Sequence, residues 1–226
     1  MKIRRASAWT LSAVLVGLLS IGASSPAIAA EPEPDSLQLA VLEGDQWIPL
    51  DADGFRAATL HLESSSPDDA GNRNSRLIGW NQSFGCDVLN NENDVFATYW
   101  FPWDGRVNGV RLKCGNGSWG YKHIRERHES QWQATLDSAR AHGWNSAAFG
   151  VNSWDDLMSG TTSAVVADPG LGLTHIAVSN KWCTKAMFGL WDTNYKRIVY
   201  DFGVETVWAS DSDKLITSFP SNRKVC

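Results

Sequence analysis

Gly120-Tyr-Lys-His-Ile-Arg-Glu-Arg-His128 is the stretch on which the reading of this chain turns. It lies in a Pro-free run, Trp119–Trp132, with no Gly after Gly120, and Ser118 in front of it suits a helix N-cap. A second helical stretch is expected from Gln133 to Ala141, closed by Gly143, and a short third one over Trp154–Met158, capped by Ser153. From Thr162 the pattern changes to strands. Ser163–Ala167 and Leu173–Ser179 flank the turn-forming Asp168-Pro-Gly-Leu-Gly172, and Arg197–Trp208 and Lys214–Phe219 flank Ser210-Asp-Ser-Asp213. Helices first and antiparallel strands after them predict an α+β domain over residues 118–226.

Upstream the texture differs. Val95–Phe101 and Val107–Cys114 have strand composition, with Pro102-Trp-Asp-Gly105 as the turn between them. Leu37–Leu42 and Ala57–Leu62 are short apolar stretches, Ser64–Arg76 reads as a loop, and Glu31–Asp35 as a disordered polar start. Residues 30–117 are therefore expected to form a small, β-rich, disulfide-clipped segment. Residues 1–29 carry a basic start (Lys2, Arg4, Arg5), an apolar run from Ala8 and the small-x-small pattern Ala27-Ile-Ala29, which predict a cleaved secretory signal and a secreted, extracellular chain. No later stretch is long and apolar enough to span a membrane, so no membrane association is expected after cleavage.

Four cysteines in an exported chain favour two disulfides; three connectivities exist. Chain order favours Cys86–Cys114 and Cys183–Cys226, because each pair then lies within one segment. Their spacing is not that of a zinc site.

Removing the three basic residues of the signal from the chain's 20 leaves 17 against 25 acidic ones, a formal charge of −8. All the excess acidity falls in residues 30–117, with 6 basic and 14 acidic side chains, while 118–226 balances at 11 and 11. Binding of nucleic acid through long phosphate tracks is excluded by this balance; contact with it must be local. The acidic segment is expected to be able to mask a phosphate-binding site, since carboxylates mimic phosphates.

Within the opening helix, His123 and Arg127 are i and i+4 and share a face, whereas His128 lies about 140° round and points elsewhere unless the helix ends there. Glu129 follows His128, and Trp132 stands where a second ligand would be, so the metalloprotease pattern H-E-x-x-H is absent and neither metal nor cofactor is expected. Two imidazoles and clustered cations are the parts needed to cleave RNA without a metal. One imidazole takes the 2′-OH proton, a second group protonates the leaving 5′-oxygen, and a cation stabilises the charge on the phosphorane.

The same stretch, Gly-Tyr-Lys-His-Ile-x-x-Arg-His followed by Trp132, resembles the opening helix of the barnase/EndoU/colicin/RelE-like (BECR) superfamily of secreted bacterial toxin ribonucleases. In that group the helix is followed by a four-stranded antiparallel sheet whose last strand carries a Thr or Ser just before Phe-Pro. Leu215-Ile-Thr-Ser-Phe-Pro220 is similar to it, at the corresponding place. The resemblance implies helices packed on a four-stranded sheet and a metal-independent endoribonuclease that leaves a 2′,3′-cyclic phosphate. It implies His123 and His128 as candidates for base and acid, Arg127 as the phosphate or transition-state cation, and Thr217 or Ser218 as the hydroxyl on the scissile phosphate. Lys122 is a further candidate for substrate binding. Strand alternation lets only one of Thr217 and Ser218 face the helix's catalytic side, Thr217 matching the family position better. RNA as substrate and a neutralising immunity protein follow as expected partners.

Eleven tryptophans follow the signal, and Trp80, Trp100 and Trp103 cluster in the N-terminal half. Exposed tryptophans stack on sugars, so the rival function is a secreted, non-catalytic glycan- or cell-wall-binding protein with Tyr99-Trp-Phe-Pro-Trp103 as its best feature. His175 is expected at the surface and His142 at a helix C-terminus, where a cation is favoured.

Overall fold

The computed structural model describes residues 36–52, 55, 80–223 and 226, with only the backbone of Trp80 and Asn81. The signal, the polar start, Ala57–Leu62 and Ser64–Arg76 lie outside the described residues. What is described is mixed α+β with antiparallel sheets and two disulfides.

Strands β1 (Leu37–Glu43), β2 (Gln46–Pro49), β5 (Thr174–Ile176), β6 (Lys181–Asp192), β7 (Arg197–Ala209) and β8 (Leu215–Pro220) form one sheet. Its order is β2-β1-β6-β7-β8, with β5 beside β6. The sheet has six strands, not four. The difference arises because Leu37–Val41, from the N-terminal segment, pairs with Phe188–Asp192 and covers an edge of β6 that would otherwise be open. Residues from both sides of position 117 thus build one sheet. A separate hairpin, β3 (Val95–Trp103) and β4 (Arg106–Lys113), turns at Asp104-Gly105, whose φ values of +52° and +68° are those of a tight hairpin turn.

Helix α1 spans Gly120–Ala141 without a break. The expected division at Gln133 does not occur, because nothing between Trp132 and Ala141 breaks a helix. Trp119, not Ser118, is its N-cap, with no side-chain cap bond. Helix α2 spans Trp154–Ala167 and absorbs Ser163–Ala167, which read as a strand. The capping box between Ser153 and Asp156 starts it, and burial of Val165 and Val166 outweighs their β preference. Lys181–Asp192 replaces that strand in the sheet, and Leu173–Ser179 shortens to β5 followed by a 3-10 turn.

Alternation sets the two faces of the sheet. Phe188, Phe202, Val204, Trp208 and Leu215 enter the core. Helix α2 joins this face to the hairpin: Thr162 Oγ1 donates to Ser218 Oγ at 2.8 Å, and Ser159 Oγ lies 3.0 Å from Tyr99 Oη. Helix α1 runs beside edge strand β8, where fully buried Trp132 donates from Nε1 to Ser218 O at 3.0 Å. Cys86 is bonded to Cys114 and Cys183 to Cys226, the pairing chain order favours. Disulfides suit an oxidising compartment. Among the described residues no helix is long and apolar enough to cross a membrane.

Candidate active site

The loop before α1 sets its first turn. Gly115 and Gly120 have φ of +65° and +77°, and a Cβ on Gly115 would collide with Trp119 O. Asn116 N donates to Trp119 O at 2.9 Å, and Ser118 N to Asn116 Oδ1 at 2.9 Å. This compact turn brings Gly117 O to the first turn of α1, where His123 Nδ1 meets it at 2.9 Å. A carbonyl can only accept, so His123 carries its proton on Nδ1 and turns Nε2 outward.

His128 lies on the row of Ile124 and Trp132, four residues either side, and so faces β8. Its ring stacks on Phe219 at 4.6 Å and 15°, and Nδ1 lies 3.0 Å from Gln131 Oε1. Although α1 continues well past it, its ring reaches within 5.8 Å of the His123 ring, edge to face. Helical side chains lean towards the N-terminus, which carries the His128 ring back towards His123 despite the 140° between them. Burial against β8 pushes the His128 pKa below its ordinary value, reinforced by the nearby His123 and Arg127. Neutral His128 therefore offers an Nε2 lone pair at neutral pH.

Arg127 is exposed and has no ion-pair partner among the described residues. Lys122 Nζ donates to Asn90 Oδ1 at 2.7 Å, and Arg125 forms a two-bond pair with Asp87 at 2.7 and 3.0 Å. The acidic segment thus touches the Lys122–Arg125 flank of α1. Among the described residues none of its carboxylates bonds to His123, Arg127 or His128.

The two hydroxyls of β8 part ways. Ser218 is fully buried, and its Oγ sits between Thr162 Oγ1 and Thr206 Oγ1 at 2.8 and 3.1 Å. Expected as a candidate substrate contact, it lies in this structure within the polar seam between α2 and the sheet. Thr217 lies on the other face, with Phe219. It is covered, at 9% exposure, and its Oγ1 has no partner among the described residues.

His175 is exposed at 4.4 Å from Trp182, remote in the sheet from β8, and His142 is the C-cap of α1, its Nδ1 on Ser138 O at 2.7 Å. Among the described residues no group of three or more metal-ligating side chains converges. Phe219 and Gly117, which orient the two imidazoles, carry no chemical signal of their own and escape sequence reasoning.

No family model, curated protein or solved structure matches this chain.

Proposed function

We propose that the protein is a secreted, metal-independent endoribonuclease of BECR-like, toxin type, with β1, β2 and β5 as additions to a core of α1, β6, β7 and β8. The observation that carries this reading is the meeting of two partly exposed imidazoles, their ring centres 5.8 Å apart, on the helix that also carries Arg127, a guanidinium with no ion-pair partner among the described residues. Neutral His128 takes the 2′-OH proton at Nε2, and the 2′-oxygen attacks phosphorus. The bond from phosphorus to the 5′-oxygen breaks as protonated His123 delivers its Nε2 proton to that oxygen. The products are a 2′,3′-cyclic phosphate and a free 5′-hydroxyl. Arg127 stabilises the dianionic phosphorane. Thr217 contacts the phosphate only after its side chain turns outward, and Lys122 stays with Asn90 at the margin.

The test is incubation of the full chain with total RNA in EDTA, alongside His123→Ala and His128→Ala. RNA loss in the wild type alone is expected. Intact RNA at high protein concentration sinks the reading, and equal loss in both variants sinks the site assignment. Because burial lowers the His128 pKa, the ascending limb of the pH–rate profile falls below the ordinary imidazole midpoint.

One observation favours the glycan-binding alternative: Trp100 and Trp103 are 57% and 45% exposed on the hairpin. Retention on insoluble cell-wall polysaccharide, lost in Trp100→Ala/Trp103→Ala, would support it. An immunity protein, if the ribonuclease reading holds, would cover His123 and Arg127.

A further inference from the structure

Lys185, Glu205 and Phe219 stand in register across β6, β7 and β8, on the face opposite Thr206 and Ser218. After Pro220 the chain turns back onto this face. Ser221 N donates to Gly203 O at 2.8 Å, and a Cβ at Gly203 would collide with Ser221 O. Cys226 then ties the terminus to Cys183 of β6. Ser221 and Cys226 are thus each tied to the sheet.

Arg223 follows Ser221 by two residues. Its Nε donates to Glu205 Oε2 at 3.1 Å, and Nη2 to Oε1. The guanidinium carbon lies 5.9 Å from the Phe219 ring, the ring that carries His128. The Glu205 side chain is 4% exposed and that of Arg223 62%, so the carboxylate anchors and the guanidinium faces outward. Arg223 alone bonds the carboxylate; Lys185, the register partner of Glu205 on β6, is a second basic residue nearby, its Nζ buried with no hydrogen-bond partner among the described residues. Of five guanidinium N–H groups, Glu205 takes two. Three remain, in the fork geometry that fits a phosphate.

We propose that Arg223 is a second phosphate contact, holding the phosphodiester next to the scissile one in single-stranded RNA, and that Glu205 and the Cys183–Cys226 disulfide position it. This rests on the ribonuclease reading for the identity of the neighbouring site. The contact itself concerns any single-stranded polyphosphate backbone laid across Phe219. It makes Arg223 a binding residue, distinct from the imidazoles that move protons.

The probe is a fluorescent, single-stranded 2′-deoxy oligonucleotide, which lacks the attacking hydroxyl. Binding to the oxidised full chain is followed by anisotropy over a range of salt concentrations. Arg223→Gln is expected to weaken binding roughly tenfold, and to reduce the slope of log affinity against log salt by about 0.7. Cys183→Ser/Cys226→Ser should weaken it in the same sense, with little further loss when Arg223→Gln is added. Arg197→Gln, the same charge change at the far end of β7, is the control. The proposal falls if the wild type does not bind the probe, if Arg223→Gln binds as the wild type does, or if Arg197→Gln loses as much. Cleavage of the ribo-oligonucleotide is read separately. Absent cleavage with weakened Arg223→Gln binding rejects the ribonuclease and keeps the contact; cleavage with unchanged binding does the reverse.

Discussion

Replacing Trp132 by Phe tests how α1 is held against the sheet. Trp132 is fully buried, and its Nε1 donates to the outer carbonyl of edge strand β8, Ser218 O, at 3.0 Å. Phe removes that donor from a buried acceptor, which costs about 1–3 kcal/mol. The smaller ring leaves a gap worth about 1 kcal/mol more. The expected loss is therefore about 2–4 kcal/mol, a fall in Tm of roughly 10 °C for a chain of this length. The assay is urea unfolding followed by far-UV circular dichroism with disulfides intact. His128 is one helical turn before Trp132, so loosening here also weakens the His128–Phe219 stack, and activity should fall more than stability alone predicts. A loss below about 0.5 kcal/mol, within the range of neutral surface changes, would refute the view that this bond fixes the helix.

Gly115→Ala should destabilise the chain by at least about 2 kcal/mol, read by the same denaturation, because φ is +65° and the new Cβ collides with Trp119 O. Burial raises the Asp156 pKa from 3.8 to about 6, against the pull of the backbone N–H groups of Asn152 and Ser153. The folded form holds this proton more tightly, so the contribution is complete below pH 3.8 and is lost as pH rises through about 6. The stability of wild type relative to Asp156→Asn should therefore fall by about 3 kcal/mol between these limits in a pH series of urea melts. Removing Cys86–Cys114, which closes 28 residues, should cost about 3.5 kcal/mol, and removing Cys183–Cys226, which closes 43, about 4 kcal/mol by chain entropy. Serine pairs measured under identical conditions check both values.

The hairpin β3–β4 was legible because its signals are local: two strand-like runs and a turn with Asp-Gly at its centre. So was the helical character of Trp119–Ala141, though not its continuity: the expected break at Gln133 is absent, and one helix runs to Ala141. The last turns of α2 were not, since Ala164, Val165 and Val166 suit either state and tertiary burial decides between them. Strand β6 was hidden by its mixture of Lys, Cys, Thr and Gly, and the place of β1 by distance, since nothing near Leu37 names Asp192 as its partner. At the site, the residue types on α1 could be read, but not their meeting. That depends on Phe219, about ninety positions away, and on a glycine-built carbonyl at Gly117. Thr217 and Ser218 were separated only as far as alternation allows; which one faces the core needed α2.

The pairing of Leu37 with Asp192 bears on the order of assembly. The first strand of the described chain finds its neighbour only after β6 exists, so it must wait through the synthesis of everything between. Until the two pair, β1 presents an open edge, and so does β6 once it has formed, each able to pair with other chains. Late closure of so distant a contact predicts slow folding and a premium on chaperone cover until the last strands arrive.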